Sequence, residues 1–110
     1  MKVLNLKSMV KGWFIGDFEP TVLKTKDFEV AVKHYKKGDY EGEHVHRVST
    51  EITVIAYGWA RMGDKTISAG DIVVIEPGKS TDFSAISNVI TVCVKVPSVK
   101  GDKYDTGVIQ

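Results

Sequence analysis

A chain of 110 residues, 43% hydrophobic and 26% charged, is long enough to bury one core and too short for two domains. A formal net charge of +1 with scattered lysines offers no electrostatic attraction for nucleic acid or an anionic membrane. A single cysteine excludes an intramolecular disulfide and suits a reducing cytoplasm; residues 1–10 lack the continuous apolar run of a signal peptide or membrane span.

Along the chain, residues 12–20 gather Trp13, Phe14, Ile15 and Phe18. Two readings stand for them: a plug at one end of a barrel, or an arm exchanged with a second subunit. Residues 28–35 alternate as a strand, with Phe28, Val30 and Val32 expected inside and His34 on the same face. Residues 51–57 are β-branched and aromatic, again a strand. Trp59–Met62 and Lys65–Ser68 flank Gly63-Asp64, a short turn suited to a hairpin. Residues 71–75 and 90–96 complete the set, the latter setting Ile90, Val92, Val94 and Val96 against Thr91, Cys93 and Lys95. Cys93, inside that strand with nothing near to activate it, is expected to be a buried, inert thiol. Residues 98–110 are polar and expected to pack weakly. Short alternating segments punctuated by turns about every 8–12 residues predict an all-β sandwich or barrel.

The chemistry concentrates in one stretch. His44 and His46, one residue apart, leave a strand on the same face. Arg47-Val48-Ser49-Thr50 can reverse the chain, so that Glu51 returns to the same spot from the neighbouring strand. Two imidazoles and a carboxylate with coordination positions to spare suit a divalent transition metal: iron, manganese, nickel or zinc. Metal-free acid–base work by the histidines is the second role. Glu51 opens an apolar strand, so an inward carboxylate there needs a cation or a Lys/Arg partner; a solvated strand end paired with a lysine is the plain alternative.

With Gly38 before and Gly58 after, these residues spell G-x5-H-x-H-x4-E-x6-G. This pattern resembles the first motif of the cupins, and all five positions match. The second cupin motif matches in part: Gly70 and Gly78 fall in place, Glu76 stands where the family has proline, and Pro77 comes one residue late. Thr81 occupies the position of the family's fourth ligand, a histidine, and Ala85 that of its asparagine. The resemblance spans residues 28–96. It implies a double-stranded β-helix, or jelly-roll barrel, as a single domain with a core at 28–96, an N-terminal arm at 1–27 and a polar tail. It also implies a homodimer.

The remaining candidates are weighed as pocket residues: His34, Tyr57, Glu76, Thr81 and Asp82. His34 is either a group near the site or a hydrogen-bonded structural histidine. Tyr40, Tyr57 and Trp59 read as core or rim, and Glu76 as a residue of the barrel mouth. Asp82 could supply a fourth ligand, although alternation turns it away from Thr81. The leading expectation is a metal-dependent isomerase, lyase or dioxygenase acting on a small polar molecule, carbohydrate-like or a carboxylate. The rivals are a metal-free enzyme resembling sugar-nucleotide ketoisomerases, with His44 or His46 as base, and a non-catalytic small-molecule-binding barrel.

Overall fold

The computed structural model describes residues 1–106; the last four residues of the expected tail, 107–110, lie outside the described residues. After a 3-10 turn at Leu6–Ser8 the strands are β1 Trp13–Gly16, β2 Leu23–Lys24, β3 Glu29–Tyr35, β4 Tyr40–Val45 and β5 Thr50–Tyr57. They continue with β6 Trp59–Met62, β7 Lys65–Ser68, β8 Ile72–Ile75, β9 Ser80–Ala85, β10 Val89–Val96 and β11 Tyr104–Asp105. Two sheets face each other, ordered β2-β1-β3-β10-β5-β8 and β11-β4-β9-β6-β7. Four of the expected strands are displaced by a single residue at a boundary. β9 escaped the periodicity because Phe83 and Ala85 are its only apolar residues.

Turn chemistry holds the connections. The β6–β7 hairpin turns at Gly63 with φ +60°. Gly58, the last glycine of the motif, has φ +90°, and a Cβ there would lie 2.1 Å from the Asn88 carbonyl oxygen, so only glycine fits.

The six-stranded sheet presents opposite chemistries on its two faces. On β3, β10 and β5 the buried set is Ala31, Cys93, Thr91, Val89, Thr53, Glu51 and Ile55. The partly exposed set is Val30, Val32, Val92, Val94, Ile52 and Val54. The expected inner face of β3 is therefore reversed: Ala31, Lys33 and Tyr35 point inward, and His34 is exposed on the outside. Valines misled the alternation reading, because the more apolar set here is the outer one.

Inside, the barrel is graded along its length. A dry end packs Ile55, Ala60, Met62, Ile67, Ile75, Phe83, Ala85 and Val89 against one another. Along β5 the inward side chains change from Ile55 to Thr53 to Glu51, and along β10 from Val89 to Thr91 to Cys93. The other end is thus polar, and the histidines open into it.

Residues at both ends of the chain are built into the sheets. β1 pairs antiparallel with β3 of its own chain, so the aromatic segment covers its own barrel. The expectation of a weakly packed tail is corrected in its first half. Ser98 and Asp102 are buried, and β11 pairs with β4 through Tyr104 opposite Val45 and Asp105 opposite His44.

Candidate metal centre

His44 lies near the end of β4 and His46 just beyond it; both are buried, as is Glu51 at the start of β5. One potential ligand atom from each of the three lies within 4.8 Å of the others. The route differs from the expected one. β4 and β5 belong to different sheets, so the 46–49 corner carries the chain across the barrel and Glu51 meets the histidines from the opposite wall.

That corner is held from outside the motif. The Asp102 carboxylate accepts the backbone N–H groups of Arg47 at 2.9 Å, Val48 at 3.1 Å and Ser49 at 2.9 Å. The Ser49 hydroxyl donates to the Pro97 carbonyl at 2.7 Å, and Gly78 N–H donates to the His46 carbonyl at 2.8 Å. Burial opposes ionisation of Asp102, yet those three N–H groups outweigh it and hold its carboxyl below the usual range.

The donor set fits a divalent cation. His44 Nδ1 lies 2.9 Å from the Gly42 carbonyl, which fixes Nδ1–H as donor and leaves the Nε2 lone pair free to ligate. His46 Nε2 is buried with no hydrogen-bond partner, a costly state for a polar atom unless a ligand satisfies it. Glu51 accepts from the Thr53 hydroxyl at 2.9 Å through one oxygen, while the other stands 3.8 Å from His46 Nδ1. Among the described residues no lysine or arginine nitrogen comes within 4.0 Å of that carboxylate. Burial first, then the charge of Lys95, pushes the His46 imidazole down to about 4, so it is neutral at pH 7 and cannot supply the missing positive charge. A buried carboxylate beside the neutral His46 imidazole, whose Nε2 is orphaned, calls for a cation.

His44 and Glu51 border a cavity of about 40 Å³. Of the sequence candidates, Thr81 and Asp82 line it with His44 and Glu51. Thr81 faces His44 directly in the β4–β9 register. Asp82 does not join the converging group; its carboxylate accepts from Gly63 N–H at 3.0 Å and from the Tyr40 hydroxyl at 3.3 Å. The other three stand elsewhere. His34 is exposed on the outer face, Tyr57 is 59% exposed, and Glu76 is exposed just past the end of β8. Trp59 is likewise outside, at 54%.

Several lining residues were missed: Lys33, Tyr35, Glu41, Thr91, Lys95 and Lys103. The Tyr35 hydroxyl donates to a Glu41 carboxylate oxygen, and Lys33 and Lys103 approach the same carboxylate at 3.8 and 4.0 Å. Burial works against the charged Glu41, but Lys33, the Tyr35 hydroxyl and Lys103 together bring it below the usual carboxylate range. Burial, then the bond to Glu41, raises Tyr35 far above the usual phenol value. Cys93 is the expected buried thiol, pushed up to about 12 by burial and then by the Glu51 charge. The signal that could have found Lys33, Thr91 and Lys95 was period two counted from Glu51 and Cys93 rather than from the valines.

No protein-family model and no curated protein matches this sequence; solved structures do. An uncharacterised protein with a double-stranded β-helix domain from Klebsiella pneumoniae subsp. pneumoniae MGH 78578 superposes with a TM-score of 0.73 at 22% identity, covering 97% of this chain and 93% of that one. A cupin of the RmlC-like type from Shewanella frigidimarina NCIMB 400 gives 0.65 at 16%, covering 69% and 71%. Oxalate decarboxylase from Bacillus subtilis gives 0.66 at 16%. There the match covers 74% of this chain and 24% of the larger enzyme. The protein has the cupin fold, with two facing sheets forming a double-stranded β-helix.

Proposed function

We propose that the protein is a metal-dependent enzyme that binds one divalent transition ion through His44, His46 and Glu51 and acts on a small polar molecule. The observation that carries this reading is the pairing of a buried Glu51 carboxylate, with no lysine or arginine nitrogen within 4.0 Å among the described residues, with the orphaned His46 Nε2. A metal held there supplies a Lewis acid with open positions for a substrate oxygen. Among the similar folds, Bacillus subtilis oxalate decarboxylase is described with Mn(II) centres, which supports the metal reading by analogy alone.

The chain's own residues define the rest of the site. Thr53 orients Glu51 by donating to it. The Gly42 carbonyl sets the His44 tautomer. The dry end of the barrel closes the cavity behind Thr53 and Phe83 and keeps bulk water from that side. Isomerase, lyase and dioxygenase chemistry all remain within the proposal, because the fold does not choose among them. A homodimer in the cytoplasm is part of it.

The test is elemental analysis of tag-free protein beside His44→Ala and Glu51→Ala. About one equivalent of iron, manganese, nickel or zinc in the parent, lost in both variants, is the expected result. A parent that stays metal-free after incubation with each of the four ions overturns the reading.

A further inference from the structure

We propose that the substrate carries a carboxylate, and that Lys33 and Lys95, with Lys103 at the rim, form its binding subsite beside the metal ligands. The carboxylate end of this inference stands on its own observations; placing the reacting end at the metal rests on the proposed function above.

Three lysines line a cavity of only about 40 Å³, and their partners are unevenly shared. Lys33 and Lys103 approach Glu41 at 3.8 and 4.0 Å. That carboxylate also accepts the Tyr35 hydroxyl. Lys95 is held less closely: Glu29 and Glu51 lie opposite it on the two neighbouring strands, and among the described residues no carboxylate oxygen comes within 4.0 Å of its Nζ. It rests instead 4.9 Å from the centre of the Trp13 ring, which Lys33 shares from 5.2 Å. One indole thus steadies two ammonium groups. Glu41 offsets the Lys33 charge at 3.8 Å, which leaves Lys95 as the position beside which a further anion is favoured.

Register places Lys95 beside one of the metal ligands and Lys33 further along the same face of the sheet. Lys95 on β10 lies opposite Glu51 on β5, and Lys33 on β3 lies opposite Thr91 on β10. Directly opposed residues in an antiparallel pair are about 5 Å apart at Cα. The volume bounds the ligand: one water needs about 10–15 Å³, so a cavity of about 40 Å³ suits a few heavy atoms. A short carboxylate is an anion of that size; a nucleotide or sugar phosphate is far larger.

The test is calorimetric titration of pyruvate, pyruvamide and inorganic phosphate into the full chain, both metal-loaded and chelator-treated, with Lys95→Met, Lys33→Met and Lys95→Arg variants. Thermal melting of each variant verifies that it folds. Pyruvate binding about tenfold more tightly than its uncharged amide, reduced about tenfold in Lys95→Met and restored in Lys95→Arg, is the expected result. Lys33→Met weakens pyruvate likewise, and metal content stays at the parent level in Lys95→Met. Equal binding of pyruvate and pyruvamide, a preference for phosphate, or unchanged pyruvate affinity in both methionine variants overturns the subsite. A metal-free parent that still prefers pyruvate sinks the metal reading and leaves this one standing. A metal-loaded parent without that preference does the reverse.

Discussion

Thr81 stands directly opposite His44 in the β4–β9 ladder and lines the cavity. Its hydroxyl donates to the Asp82 carbonyl at 3.1 Å and is a poor ligand for the transition metals that imidazole favours. A histidine there would bring a third nitrogen toward the group. Thr81→His is expected to raise metal affinity about tenfold at unchanged stoichiometry, measured by competition with a chromogenic chelator. Unchanged or weaker affinity would mean that the position does not reach the ligand cluster. The lining lysines act at the same scale. Lys95 is visible in the sequence as one residue of an alternating set, but only its place opposite Glu51 gives it a meaning.

Among the elements, the corner between β4 and β5 depends on the segment after β10. Three consecutive N–H groups converge on one Asp102 carboxylate, a small anion cradle of backbone donors. The corner joins His46 to Glu51, so its shape sets how the ligands meet. Asp102→Ala leaves those donors without their acceptor and is expected to cost about 3 kcal/mol of stability, read from urea unfolding. Asp102→Asn is expected to lower metal affinity about 10- to 100-fold while keeping the fold. The sign of the pH effect follows from the direction of the shift. The Asp102 carboxyl is lower in the folded state, so its stabilisation is fully present above the ordinary aspartate value of about 3.9. It is lost as pH falls through the lower, folded value. The stability gap between parent and Asp102→Asn should therefore hold near neutrality and close below about pH 3.9. A gap independent of pH in acid would remove Asp102 from that role.

For the whole molecule, the outer face of the six-stranded sheet is the conspicuous surface. In register across β3, β10, β5 and β8 run two rows: Val30, Val94, Ile52 and Val74, then Val32, Val92, Val54 and Ile72. Ile72 and Val74 are 64% and 60% exposed. Four strands at about 4.8 Å spacing make this face about 19 Å wide, and exposed Val22, Leu23 and Val96 add to the apolar surface. No charge interrupts the two rows, so a second copy can lay the same face upon it about a two-fold axis. This is the surface through which the proposed homodimer would form. Ile72→Lys with Val74→Lys should yield monomers by analytical ultracentrifugation where the parent sediments as a dimer. A monomeric parent would remove the dimer from the proposal.

The spacing of His44, His46 and Glu51 is by itself enough to pick out the candidate ligands, because alternation and a short corner are local properties of the chain. Strand positions are legible for the same reason: β-branched runs and glycine turns act over a few residues. Other features depend on neighbours distant in sequence. Which face of β3 turns inward is decided by the opposite sheet, and this places Lys33 and Tyr35 in the cavity and His34 outside. Asp102 reaches its corner from 53 residues beyond Ser49, and no periodicity announces such a contact. Tyr57 and Glu76 stand close to the motifs in sequence, yet the path of the sheets carries them to the surface. Local chemistry wrote the ligand set into the sequence; the cavity around it exists only where two sheets meet, because its walls come from strands that are far apart along the chain.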